Sequence, residues 1–320
     1  PVAHANDGGG SIRIPAGNCG LVGLKPTRGR VSLGGDFGDL LSGLVHEHVV
    51  TRTVRDSAAV LDAVHGPAPG DPYFAPAPER PFAEEVGVDP GRLRVALWTK
   101  APGGEVEVHP DCIEAAENAA ALLEGLGHTV EPIELDALSD PQTVFDFLVR
   151  WTTGVAWNLD YWARKIGREV TEADVEPTTW ALAEQGRAHT AAAYLTAIEN
   201  QQKLTRAVAE QGEAYDIVLS PTMAVPPTRI GDFDVDESGP LMPIVTATPV
   251  AAFCTAYNIS GQPAISLPLH WNDEGLPIGV MAAAKPGRED LLIRVASQVE
   301  EAQPWAERIP PVFAEEPSLD

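Results

Sequence analysis

The 320-residue chain carries 46 Asp and Glu residues against 22 Lys and Arg, a formal net charge of −24. Because a phosphate-binding surface needs clustered cations, this balance argues against nucleic acid or an anionic membrane as a partner. No stretch approaches the roughly 20 apolar residues of a membrane span, and the first residues lack a signal-peptide pattern, so we expect a cytoplasmic protein.

A glycine run near the start of the chain is its most informative feature. Residues 7–15 read DGGGSIRIP. Glycine permits backbone torsions that other residues resist and leaves N–H groups unshielded, so such a turn can hold an oxyanion. A hydroxyl at the end of the turn would meet an acyl carbon bound to those donors, which makes Ser11 a candidate nucleophile.

Two other interpretations of the glycine run fit less well. A flexible linker continues with polar residues, whereas this run is followed at once by apolar residues up to Leu24, which indicates a core segment. Residues 23–27 lack the Gly-Lys-Ser/Thr ending of a P-loop, and Arg13 stands where a dinucleotide fingerprint has glycine. We therefore expect no nucleotide, and no other cofactor.

Helix and strand signals alternate along the rest of the chain. Thr53 begins a capped helix that ends at Gly66. Residues 67–90 are rich in proline and predict an extended surface connection. The sequence then predicts strands at 93–98 and 129–133 around an alanine-rich helix at 110–126, with the parallel pairing of a β-α-β unit.

The second half of the chain is mostly helical in pattern over residues 141–211. We expect the aromatic residues of this region to be core, with the lining of a substrate pocket as the alternative. They are Phe145, Phe147, Trp151, Trp157, Tyr161, Trp162 and Trp180. The chain returns to the sheet at 217–219 and 264–267, and its last helix begins near 288–290.

Neither a metal site nor a disulfide framework is indicated. The chain has an odd number of cysteines, and they lack Cys-x-x-Cys spacing, so we expect them to be reduced and buried. They are Cys19, Cys112 and Cys254. Residues 46–48 read HEH, but a zincin motif would require a second histidine where Val50 stands.

Four separated segments resemble the amidase signature family. They are residues 6–32, which contain the glycine run, and residues 216–222, 258–268 and 275–280. Their order is that of the family, which argues against a chance match. The resemblance implies an α/β fold in which helices cover both faces of a mixed twisted sheet. It also implies one domain over residues 1–320 that lacks the amino-terminal part of the fold.

The resemblance also assigns roles within the glycine run. Ser11 matches the serine that is acylated, and the backbone N–H groups of Gly8, Gly9 and Gly10 match the oxyanion hole. The expected substrate is a small-molecule amide, and the resemblance is compatible with a homodimer.

Two charged residues flank the glycines. Asp7 and Arg13 match a charged pair of the family, and we expect a bidentate contact that braces the turn. The alternative is two independently solvated charges. One departure is Met281, which stands where the family commonly has glutamine and offers no amide donor.

The family mechanism needs a lysine and a second serine, held in a cis peptide, which precede the nucleophile. The chain begins too late to contain either, and a serine without a base is a weak nucleophile, so we expect this chain alone to be inactive. Lys25 lies in a structural turn of the family and His4 has no catalytic counterpart, so neither is assigned as the base.

Three functions from different classes stay open. The first is hydrolysis of a linear or cyclic amide, and residues 1–4, 171–176 and 287–292 are most like the branch containing 6-aminohexanoate cyclic dimer hydrolase. The second is an amidotransferase subunit of the same family, which would require partner subunits. The third is a non-catalytic amidase-like protein or fragment.

Overall fold

One mixed sheet of eight strands organises the computed structural model, which describes residues 2–35 and 37–312. The strand order is β1-β3-β2-β7-β8-β6-β4-β5, and β4 pairs parallel with β5 and β6 while every other pair is antiparallel. The strands are β1 Val2–Asp7, β2 Val22–Lys25, β3 His46–Thr51, β4 Arg94–Leu97, β5 Thr129–Pro132, β6 Ile217–Pro221, β7 Ala264–Trp271 and β8 Pro277–Ala284.

Helices cover both faces of this sheet. In chain order they are α1 Arg13–Cys19, α2 Val54–Val64, α3 Pro110–Gly125, α4 Gln142–Ile166, α5 Pro177–Ala188, α6 Ala191–Gly212, α7 Met242–Thr246, α8 Thr248–Ala251, α9 Thr255–Ser260 and α10 Glu289–Ala302. Short 3-10 helices span Phe82–Glu85, Asp136–Ser139 and Glu172–Asp174. None of the helices in residues 2–35 and 37–312 has the length and apolar character needed to cross a membrane.

The central strand β8 shows how the core divides between the two faces. Val280 and Ala282 pack in the cluster that contains buried residues of α2, α3 and α10. Met281 and Ala283 pack in a second cluster with residues of α6 and α9. Because alternate strand residues point to opposite faces, the chain builds one apolar layer on each side of the sheet, and the predicted α/β fold is confirmed.

Most of the predicted elements are present. Thr53 Oγ1 accepts a hydrogen bond from Asp56 N at 3.1 Å and caps α2, and β4 and β5 pair parallel around α3. Between residues 67 and 90 the only helix is the short turn Phe82–Glu85, and α10 begins at Glu289. The single-domain prediction over 1–320 stays a prediction, since positions 1, 36 and 313–320 lie outside the described residues.

Two expectations about burial are wrong. Cys19, the last residue of α1, is exposed, whereas Cys112 and Cys254 are buried; all three thiols are free. None of the aromatic residues of α4 and α5 named above is buried. Instead, α4 packs closely on α5 at Gly186, where a Cβ would collide with the backbone of Thr152, and Trp180 is only partly buried against the small cluster of Ala156, Leu159 and Ala183.

Candidate active site

The glycine run forms a tight turn between the edge strand β1 and helix α1. The Ile14 N–H donates a hydrogen bond to Gly10 O at 2.7 Å and closes the turn. Gly10 has φ of +137°, and a Cβ there would lie 2.5 Å from Ile14 Cδ1 and 2.8 Å from Cys254 Cβ. Glycine is therefore required at position 10 by the backbone conformation and by the packing.

The buried carboxylate of Asp7 holds this turn. Its Oδ1 accepts the Gly10 N–H at 2.7 Å, and its Oδ2 accepts the Ile12 N–H at 3.2 Å. Arg13 donates from Nε to Oδ2 at 2.9 Å and from Nη2 to Oδ1 at 3.0 Å, and both side chains are fully buried. The two charges thus form a bidentate pair, and the alternative of separate solvated charges does not apply.

Helix α9 completes the support through Asn258, a residue to which the sequence analysis gave no role. Asn258 Nδ2 donates to Asp7 Oδ1 at 2.7 Å and to Asp7 O at 2.9 Å, and its Oδ1 accepts from Arg13 Nη2 at 2.6 Å. Arg13 Nη1 donates to Cys254 O at 2.9 Å and lies 3.5 Å from Met281 Sδ. The thioether therefore takes a weak contact at the position where the family commonly has an amide.

Burial and neighbouring charges shift the pKa values of three side chains beneath the turn. Burial raises the pKa of Asp7, but the charge and hydrogen bonds of Arg13 outweigh it and hold that pKa well below its ordinary value. Burial is the main cause that lowers the pKa of Lys25 well below its usual range, and the charge of Arg13 is the second. Burial and the charge of Lys25 likewise lower the pKa of His46. Asp7 therefore remains an acceptor for the turn over a wide pH range.

Ser11 stands exposed at the end of the turn. Among the described residues, no side chain hydrogen-bonds to Ser11 Oγ, and the N–H groups of Gly8, Gly9 and Ser11 have no acceptor. The Gly10 N–H was predicted to donate to the oxyanion together with the other two, but the structure gives it to Asp7. Three N–H groups of the turn are thus without a protein acceptor; Gly8 is buried, Gly9 is partly buried and Ser11 is exposed.

The two local basic groups are engaged elsewhere. Lys25 is fully buried and donates from Nζ to Pro26 O at 3.0 Å. His4 Nε2 pairs with Glu47 Oε2 at 2.6 Å on the surface. Neither reaches Ser11 by a hydrogen bond, in agreement with their assignment as non-catalytic. In the part of the chain that the structure describes, no group of three or more His, Cys, Asp or Glu side chains could hold a metal ion.

Two aromatic side chains of α4 lie against the glycine turn. A Cβ on Gly8 would be 2.9 Å from Trp151 Cζ3, and a Cβ on Gly9 would be 3.4 Å from Phe147 Cζ. The two rings stack with centroids 5.6 Å apart and an interplanar angle of 28°. Both belong to the aromatic group predicted from the sequence, which does not separate them from the rest because only the fold shows which rings face the turn.

The chain matches a family model described as Amidase over residues 1–293. It belongs to the amidase signature family. Two curated relatives named 6-aminohexanoate-cyclic-dimer hydrolase, from Pseudomonas sp. (strain NK87) and Paenarthrobacter ureafaciens, are each 40% identical over 318 residues. These alignments cover 97% of this chain and 64% of each relative, so the chain spans about 64% of the length of these relatives.

Solved structures agree with the sequence comparison. A structure of 6-aminohexanoate cyclic dimer hydrolase complexed with substrate matches with a TM-score of 0.92 at 39% identity, over 97% of this chain and 66% of that one. A bacterial aryl acylamidase of the family, 23% identical over 96% of this chain and 63% of its own, shares the fold with a TM-score of 0.80. The resemblance stated from the motifs is thereby confirmed.

Proposed function

We propose that the protein carrying this chain hydrolyses carboxylic amides through an acyl-enzyme on Ser11. The observation that carries the proposal is the turn itself: an exposed serine ends a run of three glycines, the N–H groups of Gly8 and Gly9 have no acceptor among the described residues, and a buried ion pair holds the backbone in place. Nucleophile and oxyanion donors must lie around one reacting carbon, and the closeness of Ser11 to these N–H groups in one turn supports the proposal.

The reaction divides into two half-reactions. Ser11 Oγ gives its proton to a base and attacks the amide carbon, while the carbonyl oxygen accepts hydrogen bonds from Gly8 and Gly9 N–H. The tetrahedral adduct breaks its C–N bond, and the amine leaves with a proton. Water then attacks the ester on Ser11 and releases the carboxylic acid, with the same two N–H groups stabilising the second oxyanion.

The base is the one group that the described residues do not present to Ser11. We place it on the lysine and second serine that the family resemblance implies, outside the 320 residues of this chain. This assignment agrees with the hydrogen bonds of Lys25 and His4, which are directed to Pro26 O and Glu47. On its own, the 320-residue chain would then bind an amide without activating Ser11.

The candidate substrates are linear and cyclic amides of short aliphatic acids. Two of the curated relatives bear the name of a hydrolase of 6-aminohexanoate cyclic dimer, and we carry that substrate class to this protein as part of the proposal. The amidotransferase and the non-catalytic alternatives share the fold, so an assay must separate them by the products formed.

A product assay in H₂¹⁸O separates the three functions. We expect the full protein to open 6-aminohexanoate cyclic dimer to the linear dimer, or to release the amine of a simple aliphatic amide, and to place one ¹⁸O in the new carboxyl group. Consumption of glutamine alone, with ammonia passed to a partner's substrate, would favour the amidotransferase. No product from any amide, with the protein folded by circular dichroism, would favour the non-catalytic protein.

A further inference from the structure

Phe147 and Trp151 form a stacked pair on α4, which we call the aromatic wall. They lie one helical turn apart on the same side of α4, and their rings contact the turn at Gly9 and Gly8 respectively. The aromatic wall therefore lies against Gly8 and Gly9, two of the three turn residues whose N–H groups have no acceptor among the described residues.

The aromatic wall is not fully covered by the protein. Both rings are only partly buried, and Ser11 beside them is exposed. The buried side of α4 is made by other residues, which pack against α5 and α6; among them are Val149, Thr152 and Ala156. The rings thus border a reactive turn with apolar surface that the core does not use, as the lining of a ligand pocket does.

A carbonyl oxygen bound to Gly8 and Gly9 fixes where the rest of an amide can go. The carbon must lie near Ser11 Oγ, and its two other substituents are the amine and the acyl chain. In a linear amide the amine departs after the first half-reaction, and in either a linear or a cyclic amide water must then reach the ester from that side, so that side must be open to solvent. The acyl chain stays through both half-reactions, so it is the part that a fixed surface can hold throughout.

We propose that the aromatic wall binds the acyl chain, and that the preferred substrates are amides of aliphatic acids with several methylene groups. The inference rests on the proposed function and adds the specificity-determining residues. Aromatic faces offer dispersion contacts and exclude water, and they do not replace solvent around a carboxylate. An apolar chain of several methylenes is therefore favoured over a short chain or one that ends in a carboxylate.

The test compares two amides that differ in chain length. We expect kcat/KM for hexanamide to exceed that for acetamide by about fourfold for each methylene that the aromatic wall buries. Trp151→Ala and Phe147→Ala are expected to lower this ratio about tenfold or more. Trp162→Ala and Phe145→Ala, on the same helix and 52% and 58% exposed, are the matched controls and are expected to keep the ratio.

The ratio separates substrate contact from support of the turn. If Trp151→Ala lowers kcat/KM equally for both amides, the wall only packs against Gly8 and the inference is wrong. If no amide is hydrolysed at all, the proposed function fails, and titration calorimetry with hexanamide decides the inference separately. Binding that weakens in Trp151→Ala but not in Trp162→Ala supports the wall; no binding of hexanamide to the parent overturns it.

Discussion

Replacement of Ser11 with alanine is expected to lower the turnover of amides by about 10⁶-fold in the full protein, since a nucleophile acts as one member of a cooperating set. The fold is expected to survive, because the Ser11 side chain is exposed and makes no hydrogen bond within the described residues. Steady-state release of amine measures the rate, and circular dichroism with thermal unfolding checks the fold.

A second serine variant controls for the loss of a hydroxyl from the surface. Ser139 is exposed in the short helix Asp136–Ser139, away from the glycine turn, and Ser139→Ala is expected to keep the parent rate. A folded Ser11→Ala protein that retains turnover within tenfold of the parent would show that another group attacks the amide.

Replacement of Arg13 with methionine is expected to lower the free energy of unfolding by about 3–5 kcal/mol. The variant leaves the Asp7 carboxylate fully buried with no cation in contact, although Asn258 and two backbone N–H groups still donate to it. Urea denaturation followed by circular dichroism gives the free energy of unfolding, provided that the transition is two-state.

An exposed ion pair provides the comparison for this loss. Arg55 Nη2 and Asp56 Oδ1 lie 3.4 Å apart, and the two side chains are 75% and 34% exposed. Arg55→Met is expected to lower the free energy of unfolding by less than about 1 kcal/mol. If Arg13→Met were as mild as Arg55→Met, the buried pair would not be what holds the glycine turn.

Local signals predicted much of the fold. The Thr53 cap of α2, the alanine-rich α3 between parallel strands and the acidic start of α10 all depend on residues close in the chain. The pairing of β1 with β3 and of β2 with β7 was not predicted, because their partners are set by contacts between distant segments. Such long-range pairing leaves little trace in hydrophobic periodicity.

The candidate site was predictable only in part, for the same reason. Asp7, Ser11 and Arg13 lie within seven residues of one another, so one motif contained them all. Asn258 joins them from a distant helix. It begins the segment 258–268 that resembles the family, but the sequence does not show the four hydrogen bonds that it makes with Asp7, Arg13 and Leu44 O.

Which acceptor each glycine N–H of the turn meets also depends on the fold. Sequence alone treats Gly8, Gly9 and Gly10 as equivalent donors, whereas the structure commits the Gly10 N–H to Asp7 and leaves the other two free. Only the packed molecule shows that Trp151 of α4 closes on Gly8. The distinction follows from side chains that reach the turn from elsewhere in the chain.

Covalent labelling of the full protein with a fluorophosphonate tests the central claim most directly, because the reagent loses fluoride to an activated serine and leaves a stable phosphonyl ester. Mass spectrometry of the digested protein is expected to place one adduct on Ser11, and Ser11→Ala is expected to take up no label. An adduct on a different serine, present at the same level in folded Ser11→Ala, would contradict the assignment of Ser11 as the nucleophile.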